Sequence, residues 1–312
     1  MKNIIPLVSV VCTTYNHELY IAQALDGFVM QQCNFPIEVI VHDDASTDNT
    51  VEIIKEYAKK YPDLIRPILQ TENQYSKGFN IWGYLFTEEA RGKYIALCEG
   101  DDYWTDSNKL QKQVDFLEEN PEYGMSYSKA IYSTKKGRNQ KNNFGKNYLS
   151  FENLLMNNVI PTLTTVFRKN LYFQYAIEIK PEEKQWLLGD YPLWLWIAKN
   201  NKLFYMDFVV GVYRILPESA SHSVNPEKNE KFIRSVINVK EFFVKHYHVN
   251  DINVLQEIKF TKTWWLFRLA CKFSINYLFD DVKQNLKYIQ IKKIHVLYIK
   301  TVLFFEKFKF FC

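Results

Sequence analysis

Acidic residues follow two apolar segments of the chain and are candidates for binding a divalent cation. Asp101 and Asp102 come directly after one apolar run, and Asp43 and Asp44 follow another, at residues 37–41. Two adjacent carboxylates repel each other unless a cation or hydrogen-bond donors compensate their charge. Carboxylate oxygens suit Mg²⁺ or Mn²⁺, which keep coordination positions open for phosphate oxygens. The composition Glu-Gly-Asp-Asp is also typical of a solvated turn, so the residues alone leave both interpretations open.

A bound nucleotide would account for the acidic pair Asp43 and Asp44. Ser46-Thr47-Asp48 before a helix is ordinary N-capping, which does not explain the two aspartates that precede it. A carboxylate at a strand end can accept a hydrogen bond from the ring N–H of a pyrimidine. The glycine-rich phosphate loops G-x-G-x-x-G and G-x-x-x-x-G-K are absent from the sequence. We therefore expect a metal and basic side chains to neutralise the phosphates of any nucleotide.

The elements that must position these side chains alternate through the first part of the chain. We predict strands at residues 7–12, 37–41, 67–70 and 93–98, and helices at 18–32, 49–60 and 81–90. This order specifies βαβ units and a parallel, doubly wound sheet. In such sheets ligands bind outside the carboxyl ends of the strands, near the point where the strand order reverses. The polar residues 13–16, 43–44 and 101–102 all follow predicted strands, and we expect them to meet there.

The pattern is less regular after residue 121. Strands are predicted at residues 124–127, 163–167 and 203–206, an exposed basic loop at 135–146, and an aromatic-rich helix at 190–198. From residue 230 onward the pattern is helical. We therefore expect an α/β domain at residues 1–225, divided into a nucleotide-binding half (1–120) and an acceptor half (121–225), and a helical extension at 226–312.

Composition indicates an ordinary globular protein of a reducing compartment. Hydrophobic residues make up 47% and charged residues 24% of the 312 residues, which argues against disorder. The N-terminal residues lack the apolar stretch of a signal peptide, and no run reaches the roughly 20 apolar residues of a membrane-spanning helix. The five cysteines are scattered without a C-x-x-C pair. We expect a protein that works on the cytoplasmic side of a membrane.

The last part of the chain is strongly basic. Residues 259–312 carry 11 Lys and Arg against three acidic residues, and Trp264, Trp265 and Phe267 alternate there with Lys262 and Arg268. Basic, aromatic helices are typical of interfacial anchors on an anionic leaflet, which predicts peripheral association with the inner face of a bacterial plasma membrane. A helical cap with lysines facing water would have the same pattern. Nucleic acid is not an expected partner, since no reader motif is present.

Three segments occur in a characteristic order and spacing. They are residues 6–16 (PLVSVVCTTYN), 42–48 (HDDASTD) and 93–113, which include KYIALCEGDDYW and KLQKQ. Together they resemble glycosyltransferase family 2, over roughly residues 5–215. The resemblance implies a GT-A fold and an inverting, Mn²⁺- or Mg²⁺-dependent transfer of sugar. The expected donor is a nucleoside-diphosphate sugar, UDP-linked, and the acceptor a hydroxyl of a glycan or lipid-linked saccharide in capsule or O-antigen synthesis.

The resemblance also implies a role for each matching residue of the nucleotide half. Thr13 and Tyr15 would line the base pocket, and Asp44 would hold a uracil-type ring. Asp101 would meet the ribose or the metal, and Asp102 would be the principal metal ligand.

Two departures from the family pattern, and two candidates in the second half, complete the site. Glu99 stands at the first acidic position of the metal motif, and the usual Ala-Arg-Asn segment is not evident, which leaves Lys77 as the candidate for a diphosphate contact. Inversion needs one carboxylate to take the proton of the acceptor hydroxyl. Asp190 resembles the family's acidic base, although an Asp before Pro192 is also a good helix N-cap. His222 would be a third metal contact or touch the diphosphate, unless it is an exposed histidine with neither role.

Two other functions are compatible with the same fold. A sugar nucleotidyltransferase would need a glycine-rich loop near the N-terminus, and residues 12–16 do not form one. A catalytically degenerate relative would bind glycan or act as a scaffold, and the intact acidic residues at 44, 101, 102 and 190 argue against it. Loss of metal-dependent nucleotide binding would favour the degenerate protein.

Overall fold

The chain falls into two compact units. The structure, a computed structural model, describes residues 5–134, 137–217 and 223–289 with positions 296, 299 and 300; for residues 137–142 it describes the backbone alone. The first unit comprises Met1–Phe151, Asn158–Gln185 and Gly189–Ile215, and the second comprises Glu152–Asn157, Trp186–Leu188 and Leu216–Cys312. The domain boundary expected at residue 225 stays a prediction.

A nine-stranded sheet is the centre of the first unit, among the residues that the structure describes. Its strands are β1 (Val8–Thr14), β2 (Ile37–Asp43), β3 (Ile65–Leu69), β4 (Tyr94–Leu97), β5 (Tyr103–Trp104), β6 (Tyr123–Thr134), β7 (Gly137–Phe144), β8 (Val166–Arg168) and β9 (Lys202–Arg214). The helices of both units are α1 (Ile21–Val29), α2 (Thr50–Lys60), α3 (Ile81–Tyr84), α4 (Lys109–Glu119), α5 (Phe151–Met156), α6 (Asn170–Ile179), α7 (Asp190–Asn200), α8 (Pro226–His246), α9 (Ile252–Phe273) and α10 (Asn276–Leu286).

The strand order of the sheet is β3-β2-β1-β4-β8-β6-β9-β5, with β7 paired to β6. Strands β3, β2, β1 and β4 are parallel, β8 runs antiparallel to β4 and β6, and β6 and β9 are again parallel. The chain moves outward from β1 to β3 and returns to the other side of β1 at β4. The order therefore reverses between β1 and β4, which is where a doubly wound sheet binds ligands. The predicted α/β class with a mostly parallel sheet and C-terminal helices is confirmed.

The central strands are fixed by burial on both faces. Every residue of β4 is buried, as are Val8, Val10 and Val11 of β1, because helices occupy both sides of the parallel strands. Helix α1 buries Leu25 and Phe28 against them. The carboxyl ends of β1, β2 and β4 are therefore held in place by packed apolar side chains, and the loops that follow inherit their positions.

The expected basic loop at residues 135–146 is wrong over residues 137–144. These residues form β7, which pairs antiparallel with the end of β6. Residues 138–143 are all polar, so the sequence lacks the apolar alternation by which strands are recognised. The backbone pairing with β6 does not require apolar residues, and charged residues are common on outer strands. The expected strand at 203–206 is also much longer, since β9 continues to Arg214.

The second unit is helical. Helix α8 is capped by the side chain of Asn225 and helix α9 by that of Asp251, which accept hydrogen bonds from backbone N–H groups of the first turn. Trp264 stacks on Phe260 and Phe267 within the apolar cluster that α9 and α10 form. Among the described helices, none combines the length and the hydropathy needed to cross a bilayer.

Candidate active site

The acidic loop, residues 99–102, follows β4 and lies against the end of β1. The backbone N–H of Gly100 donates to the carbonyl of Thr13 at 2.9 Å, and that of Asp102 donates to the carbonyl of Glu99 at 3.0 Å. A Cβ at Gly100 would lie 2.6 Å from Thr14 Oγ1. Only glycine allows the loop to come this close to β1, so the loop has a single position next to the strand.

Three carboxylates of the acidic loop form one cluster. The side chains of Glu99, Asp101 and Asp102 each place an oxygen within 4.8 Å of the others. Asp102 is only 2% exposed, and the other two are half-buried. Burial, followed by the charges of Asp101 and Asp190, raises the pKa of Glu99 to about 8. Burial and the charge of Asp101 likewise raise the pKa of Asp102 well above its usual range. Close carboxylates are thus held together at an electrostatic cost.

The cluster fits a divalent cation. Its donors are hard oxygens, which Mg²⁺ and Mn²⁺ prefer, and a cation would remove the repulsion that raises the two pKa values. Within the described part of the chain, this cluster is the one group of three or more acidic, histidine or cysteine side chains that lie close enough together to hold a metal ion. The acidic loop therefore has the composition and the spacing of a metal site at the point where the strand order reverses.

Arg214, the last residue of β9, contacts the acidic loop through both its backbone and its side chain. Its backbone N–H donates to Asp102 Oδ1 at 2.7 Å, and its guanidinium donates to the carbonyl of Asp101 and to the side-chain oxygen of Gln23. The guanidinium carbon also lies 4.5 Å from the ring centre of Tyr103. The sequence does not predict a role for Arg214, because nothing in the local pattern links it to Asp102, 112 residues earlier in the chain.

Asp44 lies at the end of β2 and is 5% exposed. Its Oδ1 accepts from the backbone N–H of Gln74 at 2.7 Å and its Oδ2 from that of Tyr75 at 3.1 Å. The carboxylate therefore anchors the segment that contains Lys77, and each oxygen keeps one lone pair for a further donor. Asp43, by contrast, stabilises the turn after β2, since its two carboxylate oxygens accept from the backbone N–H and the hydroxyl of Ser46.

The segment after β1 contributes the other predicted nucleotide contacts. Thr13 is half-buried and Tyr15 is 45% exposed, so the tyrosine ring is open to a ligand. Asn16 follows in the left-handed region, at φ 55°, and its side chain accepts from the backbone N–H of Thr47 at 2.8 Å. The loops after β1 and β2 are thereby joined, which places Tyr15 and Asp44 on adjacent loops at one edge of the sheet.

Lys77 lies in a short 3₁₀ turn, and its ammonium is paired with Glu72. Its side chain is 53% exposed, so the pair is on the surface. A diphosphate contact would require this ammonium to exchange Glu72 for phosphate oxygens, and exposed pairs of this kind contribute little free energy. The role of Lys77 stays a prediction. His222 lies outside the described residues.

Asp190 is the first residue of α7, after Gly189 at the N-cap position, and both of its carboxylate oxygens accept hydrogen bonds. Its Oδ1 accepts from the backbone N–H of Tyr191 at 2.6 Å, and its Oδ2 accepts from Thr162 Oγ1 at 2.6 Å. Thr162 lies in a 3₁₀ turn that precedes β8. Because the charge of Asp190 raises the pKa of Glu99, the two carboxylates lie in one electrostatic environment. A carboxylate that accepts from a hydroxyl thus acts electrostatically on Glu99 of the acidic loop from a distant part of the chain.

An indole ring lies next to Gly189, the residue that precedes Asp190. A Cβ at Gly189 would lie 3.2 Å from Cε3 of Trp82, so the absence of a side chain there lets the ring approach the start of α7. Trp82 is half-buried. The two tryptophans of α7, Trp194 and Trp196, are buried in the core and do not face a ligand. The sequence contained no signal that distinguished Trp82 from the other tryptophans.

The family is decided by comparison with known sequences. A sequence model for Glycosyl transferase family 2 matches residues 9–176. The chain belongs to this glycosyltransferase family. The match includes β1, β2 and the acidic loop and ends before Asp190 and Arg214.

Two curated relatives of this family 2 chain show how far the similarity extends. An uncharacterised protein of Mycobacterium tuberculosis (strain ATCC 25618 / H37Rv) is 45% identical over 165 residues, which are 52% of this chain and 47% of that protein. The chain thus spans about half the length of this relative. WfaP of Escherichia coli, a UDP-Glc:alpha-D-GlcNAc-diphosphoundecaprenol beta-1,3-glucosyltransferase, is 30% identical over 253 residues, covering 78% of this chain and 89% of WfaP.

Solved structures show the fold of this glycosyltransferase chain in other proteins. Residues 1–349 of TarS from S. aureus, in complex with UDP-GlcNAc, superpose with a TM-score of 0.55 at 18% identity, covering 85% of this chain and 83% of that one. The mannosyltransferase PcManGT from Pyrobaculum calidifontis, in complex with GDP-Man and Mn²⁺, gives 0.54 at 16% identity, covering 97% and 86%. The expected family and fold are confirmed.

Proposed function

We propose that this family 2 protein transfers a sugar, with inversion, from a nucleoside-diphosphate sugar to a hydroxyl of a glycan or lipid-linked saccharide. The observation that carries the proposal is the cluster of three carboxylates at the point where the strand order reverses. The charge of Asp190, which contributes to the raised pKa of Glu99, supports Asp190 as the base. A metal site and a separate carboxylate base are the two parts that inverting transfer requires. The UDP-linked donor and the context of surface polysaccharide synthesis are suggested by relatives such as WfaP, a UDP-Glc:alpha-D-GlcNAc-diphosphoundecaprenol beta-1,3-glucosyltransferase.

Each carboxylate has a separate task in this proposal. Glu99, Asp101 and Asp102 would hold Mn²⁺ or Mg²⁺, which supplies charge stabilisation for the departing diphosphate. Asp190 would accept the proton of the acceptor hydroxyl while that oxygen attacks C1 of the sugar. The bond between C1 and the diphosphate oxygen breaks, and the diphosphate leaves with the electron pair. No second acid is needed, because the metal offsets the charge that develops on the leaving group.

The remaining assignments concern binding. We propose that Thr13 and Tyr15 line the base pocket, that Asp44 accepts from the base, and that Lys77 and His222 approach the diphosphate or the metal. The free lone pairs of Asp44 and the exposed ring of Tyr15 support the first two roles. Peripheral membrane association stays part of the proposal and rests on the basic sequence of residues 259–312. The aromatic ring of Trp264 does not support it, since it packs within the second unit.

Metal-dependent binding of one nucleoside diphosphate is the expected result of a thermal-shift panel. The purified protein is heated with UDP, GDP, CDP or dTDP, each with Mn²⁺ and each with EDTA. A ligand at about 100 times its Kd adds about 2.7 kcal/mol to the free energy of unfolding. We expect a rise in Tm of at least about 5 °C with one diphosphate, UDP, and only when Mn²⁺ is present. No shift with any of the four would favour the degenerate, non-enzymatic alternative.

Thr162→Val is expected to lower kcat about 10-fold while the KM for the donor changes little. The substitution removes the hydroxyl that donates to Asp190 at 2.6 Å, and a hydrogen bond to a charged group is worth about 1.5–3 kcal/mol. The base would then be free to leave its productive orientation. Thr162→Ser keeps the donor and should retain most of the activity. The measurement is steady-state release of nucleoside diphosphate, and equal kcat for Thr162→Val and the unaltered protein would refute the orienting role.

A further inference from the structure

Arg214 joins three elements at the edge of the acidic loop. It ends β9, its guanidinium reaches Gln23 on α1, and it also donates to the carbonyl of Asp101. The guanidinium carbon lies between two rings, 4.9 Å from the centre of Tyr20 and 4.5 Å from that of Tyr103. Stacking on aromatic faces and a planar fork of donors restrict an arginine to one orientation. The guanidinium of Arg214 is therefore held in one orientation by its hydrogen bonds and ring contacts.

The donors of Arg214 are used on neutral oxygens. No ion pair between its guanidinium and a carboxylate is recorded among the described residues, although Asp101 and Asp102 are adjacent. One nitrogen binds a backbone carbonyl and another binds a side-chain amide. The backbone N–H of the same residue takes one oxygen of Asp102, Oδ1, which leaves Oδ2 for another partner. This pattern holds the backbone and one side chain of the loop and leaves the carboxylate oxygens to a cation.

We propose that Arg214 is a positioning residue that holds the acidic loop in the geometry that binds a divalent cation. This inference rests on the proposed metal role of the loop. The outer partners of metal ligands fix the orientation of those ligands, and their loss typically weakens metal affinity 10- to 100-fold. The carbonyl of Asp101 lies between the two aspartate side chains of the cluster, so its release would let both ligands move. The affinity for the metal would then depend on the position of the end of β9, where Arg214 lies.

The direction in which Mn²⁺ affinity changes when Arg214 is replaced distinguishes a positioning role from a purely electrostatic one. If Arg214 acted only as a nearby positive charge, its removal would make the cluster more negative and Mn²⁺ would bind more tightly. If it holds the loop, its removal weakens Mn²⁺ binding in spite of that gain. Arg214→Met keeps a long apolar stem between the two tyrosine rings, and it keeps the backbone N–H that binds Asp102.

The test is a titration of the full chain with Mn²⁺ alone, followed by the electron paramagnetic resonance signal of free Mn²⁺. We expect Arg214→Met to weaken binding at least about 10-fold and Arg214→Lys, which keeps one donor, to fall between it and the unaltered protein. Arg168→Met is the matched control. Arg168 also donates to backbone carbonyls, those of Tyr123 and Leu117, but it pairs with the opposite end of β4. The Arg168→Met substitution should lower the Tm of the protein without changing its affinity for Mn²⁺.

The outcomes are distinguishable. Equal or tighter Mn²⁺ binding by Arg214→Met overturns the positioning role and leaves the proposed function untouched. A loss of affinity shared by Arg168→Met in proportion to its loss of Tm overturns it as well, since general destabilisation would then explain both. Absence of Mn²⁺ binding by the unaltered protein, alone or with UDP, overturns the proposed metal role itself.

Discussion

Asp190→Asn is expected to abolish sugar transfer while leaving donor binding intact. Asparagine has the shape of aspartate, and its single side-chain oxygen can still accept from Thr162 Oγ1. Its amide nitrogen cannot accept from the backbone N–H of Tyr191 as Asp190 Oδ1 does, so we expect a lower Tm but the same fold at the start of α7. It cannot take a proton from the acceptor, and loss of a general base typically costs 10²- to 10⁴-fold in rate. We therefore expect kcat to fall at least about 100-fold, with the Kd for Mn²⁺ and nucleoside diphosphate within about twofold of the original. The kcat is measured by transfer of labelled sugar to solvent-extractable membrane glycolipid. The Kd values are measured by thermal shift.

Asp207→Asn is the control for this variant. Asp207 lies on β9 in the same unit, but its side chain is 70% exposed and pairs with Lys129 on the surface. Its substitution should change neither transfer nor binding. Transfer at the original rate by Asp190→Asn would show that the base lies elsewhere, and a parallel loss of donor binding would make Asp190 a ligand-binding residue.

Asp102→Asn is expected to eliminate metal-dependent donor binding and to stabilise the metal-free protein. Removal of a direct ligand should cost more than the loss of an outer partner, so we expect Mn²⁺ affinity to fall at least about 100-fold. The stability effect has the opposite sign. Because the pKa of Asp102 is raised in the folded state, its ionisation opposes folding, and this cost grows as the pH rises above the value of about 3.9 in the unfolded chain. Asparagine carries no such cost.

The measurement is the Tm of both proteins in EDTA from pH 4 to pH 8. The variant should exceed the unaltered protein at pH 7 and the difference should vanish toward pH 4, where the carboxyl is protonated in both states. Added Mn²⁺ should raise the Tm of the unaltered protein alone. Equal Tm values at pH 7, or Mn²⁺ stabilisation of Asp102→Asn, would contradict the role of Asp102 as a buried metal ligand.

The first half of the chain could be predicted because its signals are local. The strand expected at residues 37–41 is found at Ile37–Asp43, and the helix expected at 49–60 is found at Thr50–Lys60. Buried parallel strands are continuously apolar, and the turn residues after them mark their ends. Because the strands are parallel, the polar residues that follow them lie at the same edge of the sheet. That reasoning brought Asp44, Asp101 and Asp102 to the same region without any distance information.

The second half could not be predicted in the same way, because its contacts join distant segments. Thr162 is 28 residues from Asp190 and Arg214 is 112 residues from Asp102, and no periodicity encodes such pairs. The N-cap interpretation of Asp190 also depended on local pattern alone. In the structure Gly189 is at the N-cap position, and Asp190 accepts both from the backbone N–H of Tyr191 in the first turn and from Thr162, a contact that only the assembled fold provides. Candidate ligand-binding residues could be proposed from the sequence, whereas the residues that hydrogen-bond to them could not.

The place of β9 in the sheet has a consequence for biosynthesis. Among the described residues it is the last strand in chain order, yet it lies inside the sheet, paired with β6 along its length and with β5 near its end. Until the ribosome has released residues 202–214, β5 and one edge of β6 lack their partner. Pairings between distant segments form slowly, and unpaired edges promote association with other chains. We therefore expect substitutions in β9 to reduce the yield of soluble protein before they reduce the activity of the molecules that fold.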